Sequence, residues 1–350
     1  MQPPMHTTQQ RFSFSGTGSA YFRIWIVNLV LTLLSLGIYS AWAKVRRMQY
    51  FYRHTSLNES SFDYHGTPTA ILKGRVIGVG LFAAYYTTTL KFMPLLGLAV
   101  GLVIALFMPL LLLASFRFRL YNSSYRGLRF NFTGSIKSAY ITFLLLPLGT
   151  LFTLYLLAPF THQRIKSYQH GNSRFGQSPF TFDADVGGFY KIYFFALMQF
   201  FLIIGLVVLV AYSVLQGSMA SMATLSKEAI VGFVVIAYLL LITATLLIVP
   251  YFISRIQNLA WNHTALGGNR FSSTLSARGV AWIMFSNLIL IVVSLGLFKP
   301  FADVRMARYR IEHMALLPVG NMEDFIASAQ QQIGATGTET AEVFDVDIGF

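Results

Sequence analysis

Seven stretches of this chain contain no Asp, Glu, Lys or Arg, and no other feature of the sequence constrains its fold as strongly. They run over 24–43, 76–90, 92–116, 138–163, 192–226, 229–254 and 279–298. A helix needs about 20 mostly apolar residues to cross a hydrocarbon core about 30 Å thick, and most of these runs have that length. Run 76–90 is short alone but gains Ile71 and Leu72 if Lys73 and Arg75 snorkel. Run 192–226 exceeds one crossing and is expected to end near Tyr212, before the polar Gln216, Gly217 and Ser218. The chain is 55% hydrophobic and 11% charged, with a mean hydropathy of +0.58, whereas a soluble domain is roughly a quarter charged. Such a chain cannot cover a water-facing surface. The expected fold class is mainly α: a polytopic α-helical membrane protein with internal repeats and short aromatic β-strands in the loops.

The first run follows a polar segment with Gln9, Gln10 and Arg11, and precedes bulky Trp42 and basic Lys44, Arg46 and Arg47. That is a spanning segment retained in the mature chain, not a cleavable signal. The net charge of +13 sits in short loops beside apolar runs, the pattern of cytoplasmic anchoring and anionic-lipid contact. No basic helix or aromatic platform for nucleic acid accompanies it. The chain has no cysteine, which removes disulfides, thiolate metal sites and a thiol nucleophile.

The chain repeats itself. Phe12-Ser13-Phe14-Ser15-Gly16 returns as Phe130-Asn131-Phe132-Thr133-Gly134. Phe62-Asp63-Tyr64 returns as Phe180-Thr181-Phe182, and Trp42, Arg46 and Tyr50 return as Phe160, Arg164 and Tyr168, all at one offset of 118. A partial third copy places Asn287, Ser294-Leu295-Gly296, Ala302, Arg305 and Tyr309 against Asn28, Ser35-Leu36-Gly37, Ala43, Arg46 and Tyr50. This divides the chain into a first repeat unit (1–129), a second (130–270), a final half-unit (271–320) and an acidic C-terminal tail (321–350). Each full unit reads as an F-x-F strand, one apolar segment, a basic-aromatic turn, a second F-x-F strand and an apolar hairpin.

The run from Asn28 to Tyr50, with its S-L-G-I-Y-S-A-W-A-K-V-R core, resembles the YjgN family of bacterial inner-membrane proteins, whose function is unknown. The opening at Phe12 and the closing A-E-V-F-D-V-D-I-G-F at Ala341 to Phe350 are similar to the same family. The resemblance covers essentially the whole chain. It implies a bacterial inner membrane, and no activity, substrate or catalytic residue comes with it.

Topology is open on these grounds. If every run crosses, the two faces carry 10 and 16 Lys and Arg, a weak bias that favours an external N-terminus and a cytoplasmic C-terminus. If the single segments 24–43, 138–163 and 279–298 are re-entrant or interfacial, every basic loop shares the cytoplasmic face. The F-x-F strands can then pair into one sheet. The reading leans to this same-side arrangement.

Asn28 and Asn287 are candidate polar intramembrane residues, for substrate contact or, more ordinarily, hydrogen bonding between segments. Trp42, Arg46, Phe160, Arg164, Arg255, Phe301 and Arg305 are candidate lipid or interface residues: an arginine one turn from an aromatic can hold a lipid phosphate or rest on the ring. Gly37 and Gly296 suit helix stops, and Pro147-Leu148-Gly149 suits a break. His54 and His263, with Asn122 and Asn172 in similar places, do not cluster as metal ligands. No nucleophile-base arrangement or nucleotide loop is present, so no enzyme, cofactor or metal is expected. No acid or base sits mid-segment, which argues against ion-coupled transport. Two functions follow: a transporter or channel-like protein, or a non-enzymatic membrane scaffold contacting anionic lipid or a cytoplasmic partner. The bilayer, with anionic headgroups, is the expected partner; a protein partner is not specified.

Overall fold

A computed structural model describes residues 9–90, 94–220, 227–320 and 325–327. Its organising element is a β-barrel. Ten short strands pair antiparallel in chain order and close, β1 lying between β2 and β10. They are β1 (Gln10–Phe14), β2 (Thr55–Leu57), β3 (Ser60–Tyr64), β4 (Ser123–Tyr125), β5 (Leu128–Phe132), β6 (Ser173–Phe175), β7 (Ser178–Phe182), β8 (Thr264–Leu266), β9 (Asn269–Ser273) and β10 (Met314–Leu317). Helices fill the alternate connections: α1 (Gly18–Leu34) and α2 (Ser40–Arg53), α3 (Pro68–Leu90) and α4 (Pro94–Tyr121), α8 (Val186–Ala220) and α9 (Lys227–Asn262), α10 (Ala277–Val293) and α11 (Lys299–Glu312). Between β5 and β6 run α5 (Ile136–Tyr140), a π-turn (Ile141–Leu145), α6 (Leu146–Phe152) and α7 (Ala158–Gly171).

The chain is therefore five β-α-α-β units. The first repeat unit and the longer second one each hold two of them, and the half-unit at 271–320 is the fifth. The tail at 321–350 lies outside the described residues except for 325–327.

Register fixes where the helices go. Phe14 pairs with Thr55, Tyr64 with Ser123, Phe132 with Ser173 and Phe182 with Thr264. Each helical excursion thus returns to the barrel end it left. Tight turns occupy the other end. At Asn58-Glu59, Arg126-Gly127 and Gly267-Gly268 both residues have positive φ, the twist that suits a two-residue hairpin.

This corrects the expected fold class. A closed barrel, not a stack of spanning helices, defines the architecture. Among the described residues only three helices are long and apolar enough to cross a bilayer, at Leu95–Tyr121, Val186–Ser213 and Ile230–Asn262. The three single segments turn back inside their apolar runs. Leu36-Gly37, Leu154-Tyr155 and Leu295-Gly296 adopt positive φ, and the N–H groups of Gly37, Tyr155 and Gly296 bond the carbonyls of Thr32, Thr150 and Ile291. That is the Schellman stop, and it gives Gly37 and Gly296 the helix-stop role. The break in the third unit is not at Pro147-Gly149. The π-turn ahead of Pro147 shifts the ladder where the missing proline donor falls, and the reversal comes later, at Leu154.

The same five-fold logic locks each unit to the barrel. The side chains of His54, Asn122, Asn172, His263 and His313 bond the carbonyl four residues earlier, at 2.7–2.9 Å. Their own carbonyls accept the N–H groups of Ser15, His65, Thr133, Asp183 and Thr274. These side chains cap the helix that enters each even strand.

Strand alternation sorts the barrel faces. Ser13, Asp63, Asn131, Thr181 and Ser272 point outward and reach solvent, while Phe12, Phe62, Phe130, Phe180 and Phe271 pack in the barrel's interior cluster. A membrane-spanning strand needs about 9–11 residues and an apolar outer face. These strands have three to five residues and a polar outer face, so the barrel belongs in water. The second aromatic of each F-x-F motif wedges among the helices instead. Phe14, Tyr64 and Phe132 each centre a separate small core. The Phe132 and Tyr168 rings leave no room for a Cβ at Gly134.

Candidate functional site

The barrel axis carries two layers that sequence reasoning did not identify. The first is a ring of five phenylalanines, one from each odd strand. Neighbouring centroids are 6.2 Å apart for Phe12–Phe62, 6.4 Å for Phe62–Phe130 and for Phe130–Phe180, 6.0 Å for Phe180–Phe271 and 6.5 Å for Phe271–Phe12. Interplanar angles of 13–35° lay the rings nearly flat across the axis. This spacing leaves an opening of roughly 2 Å radius, a hydrophobic constriction. Leu57, Tyr125, Phe175, Leu266 and Leu316 sit directly across from the five phenylalanines in register. Together they line an apolar cavity of about 140 Å³. Such a lining leaves water no partner, so the cavity stays dry. Ile326 packs into the same cluster with Phe325 beside it, and Phe325 lies against Gly267 at the turn end of the barrel.

The second layer lies above the opposite end. The second helices of four units carry Lys44, Arg119, Lys166 and Arg310. Lys166 feels the charges of both Arg119 and Arg310, and Lys44 feels Arg119 and Arg75. Lys166 and Arg310 belong to units that are not adjacent around the barrel. From the fifth helix, buried Gln257 accepts Arg310 Nε at 2.6 Å. Surrounding protein and like charge hold the Lys166 ammonium below its ordinary value of 10.5. One turn nearer the barrel, His170 bonds Thr264 Oγ1 at 3.0 Å and meets Trp261 edge-on at 5.1 Å. Burial, with Lys166 adding to it, lowers its pKa from 6.5 to about 4.

The residues singled out from sequence lie elsewhere, around the outside. Arg164 rests on Phe160 at 4.9 Å and Arg255 on Tyr251 at 5.8 Å. Arg46 rests on Tyr39 at 5.6 Å rather than on Trp42, which stacks on Tyr39. Arg305 turns away from Phe301 to bond Asn287 Oδ1 at 2.7 Å and Ser286 Oγ at 3.0 Å. Phe301 packs on Phe298 and Phe22. Arg46, Arg164, Arg255 and Arg305 all stand nine residues before an even strand, so they form a belt at one height. Asn287 also donates to Ala302 O, making it hydrogen-bonding glue within its hairpin. Asn28 is equally buried, yet its Oδ1 has no hydrogen-bond partner among the described residues. Among those residues no three His, Asp or Glu side chains gather as a metal site.

A polar-coated barrel with apolar hairpins rising from one rim is a membrane-surface architecture. Tip residues Leu36, Leu154 and Leu295 are 87–94% exposed, and the helices behind them present continuous apolar surface, which lipid covers. A family model described as a bacterial protein of unknown function, DUF898, matches residues 9–343. The chain belongs to that family. Its curated relatives include an inner membrane protein, YjgN, of Escherichia coli, 24% identical over 93% of this chain and 91% of the relative. The YjgN of Salmonella typhimurium is 24% identical over 83% and 84%. No solved structure matches. The chain is an inner-membrane protein.

Proposed function

We propose that this chain is a non-enzymatic protein that holds a β-barrel against the cytoplasmic face of the inner membrane and binds anionic lipid there. The observation that carries this reading is the return of all five helical excursions to one barrel rim. In this reading α4, α8 and α9 cross the bilayer, α3 lies against α4 with Lys73 and Arg75 at its barrel end, and the other three hairpins enter it about halfway. In the sequence Lys91 stands between α3 and α4, and α9 opens with Lys227. Every other Lys and Arg lies in the barrel, in the re-entrant hairpins or at helix ends beside the barrel, so the positive-inside rule favours a cytoplasmic barrel and C-terminus. The outer arginine belt stands about 13 Å above the rim at 1.5 Å per residue, where headgroups would meet it. Arg23, Arg46 and Arg53 also line an open groove of about 510 Å³.

Melting the purified protein in nanodiscs tests the lipid contact. The reading expects a higher Tm in phosphatidylglycerol than in phosphatidylcholine, and expects Arg46→Gln/Arg164→Gln/Arg255→Gln to remove most of that difference. Equal melting in both lipids would refute it. Transport is the weaker reading, because the phenylalanine ring and Ile326 leave the axis dry and closed.

A further inference from the structure

We propose that the groove between α1 and α2 of the first unit binds the phosphate of one anionic lipid, with Arg23 and Arg46 as its donors. The inference deepens the reading of the chain as a lipid-contacting protein, and rests on it for the ligand's source. The groove encloses about 510 Å³ and is lined by Arg23, Arg46 and Arg53 together with apolar Ile24 and Val27. Cations and an apolar wall thus share one space. Among the described residues no carboxylate makes an ion pair with Arg23 or Arg46. Asp63 takes Arg53 through Nε at 2.8 Å, so the unbalanced positive charge lies at the other two. Arg23 stands nine residues beyond Phe14 and Arg46 nine before Thr55, and Phe14 pairs with Thr55 at the rim. The two arginines therefore leave the hairpin at similar heights.

Comparison with the fifth unit shows that the fold does not need this charge. There Arg305 is consumed internally, held by Asn287 Oδ1 at 2.7 Å and Ser286 Oγ at 3.0 Å. Arg46 has the same asparagine within its unit, Asn28, but Val27 stands where Ser286 does. Without that hydroxyl Arg46 rests on Tyr39 and stays exposed along the groove, while Asn28 Oδ1 has no partner among the described residues. Arg23 stands where the fifth unit has Trp282 and the second repeat has Ile141. The first unit so presents two exposed guanidinium groups where the fifth has an internally bonded one and an indole. Guanidinium groups bind phosphate through paired N–H donors. Ile24 and Val27 beside them favour a ligand with an apolar part, hence a lipid. Free inorganic phosphate offers the same oxygens and is the other source.

The experiment compares the wild type with the groove pair Arg23→Gln/Arg46→Gln, its conservative form Arg23→Lys/Arg46→Lys, and the belt pair Arg164→Gln/Arg255→Gln, which lies outside the groove. Phosphatidylglycerol retained per chain after detergent exchange is counted by native mass spectrometry. The delipidated proteins are then titrated with inorganic phosphate by calorimetry. The proposal expects one strongly retained lipid in the wild type and in the belt pair. It expects retention about tenfold weaker in the groove pair, as charge-assisted contacts disappear. Lysine should restore part of it, because it keeps the charge without the paired donors. Phosphate binding that needs Arg23 and Arg46, without lipid retention, also supports the site and assigns it to the free anion. Equal retention by the groove pair and the wild type overturns the proposal, as does a wild type that binds neither. Loss in the belt pair alone overturns it too. The reading of the whole belt fails separately, on equal melting in phosphatidylglycerol and phosphatidylcholine nanodiscs.

Discussion

At the scale of single residues, Asn28 and Asn287 show how one sequence signal divides into two outcomes. Both are buried at equivalent repeat positions, but only Asn287 is answered, by Arg305 and by Ala302 O. Replacing Asn287 with leucine strands a guanidinium donor and should cost about 1–3 kcal/mol. Asn28→Leu removes an unpartnered buried acceptor and should be close to neutral. Melting the two variants side by side checks this, and equal losses would contradict it. His170 supplies a pH dependence. Its folded pKa, about 4, lies below the unfolded value of about 6.5, so the unfolded chain binds the proton first as pH falls. Full stability therefore holds above about pH 6.5 and is lost between pH 6.5 and 4, by up to about 3 kcal/mol. Denaturant melts at pH 7 and 4.5 should show that loss in the wild type and a smaller one in His170→Gln.

Elements show what the sequence could and could not disclose. The F-x-F strands, the 118-residue offset and the helix stops at Gly37 and Gly296 were legible, because alternation and repetition are local. Barrel closure was not, because pairing β1 with β10 joins residues some 300 positions apart, and no local pattern encodes that. The apolar runs misled the count of spanning helices: run length alone does not reveal a reversal within the run, which Gly37 and Gly296 signal in two segments and nothing signals at Leu154-Tyr155. The arginine belt was readable from the repeat, but the aromatic-cation spacing holds only for Arg164 and Arg255, since Arg46 rests on Tyr39 and Arg305 bonds Asn287; the inner cations were not readable. Aligning the units on His54, Asn122, Asn172, His263 and His313 would have put Arg119 and Arg310 at one position. The reversals and the phenylalanine ring each carry a prediction. Gly296→Ala places a side chain at φ +92 and should cost about 1 kcal/mol, read as a lower Tm. Phe130→Ala removes one of five mutually supporting rings and enlarges an existing cavity, at about 3–5 kcal/mol. A loss under 1 kcal/mol there would mean that the ring is not packed.

For the whole molecule, five copies of one simple unit build a closed barrel and, without further instruction, send every hairpin to the same side. On the proposed reading, that arrangement keeps the basic residues on one face of the membrane and the aromatic strands out of lipid. The absence of native cysteine allows a direct test. Glu59→Cys and Gln177→Cys sit at exposed turns of the barrel, and Thr89→Cys at the far end of α3. Intact cells are treated with a membrane-impermeant maleimide, and lysed cells give total reactivity. The proposed cytoplasmic barrel predicts labelling at residue 89 from outside, and at 59 and 177 only after lysis. Labelling of one barrel turn but not the other in intact cells would put the two repeats on opposite faces of the membrane and contradict the barrel itself.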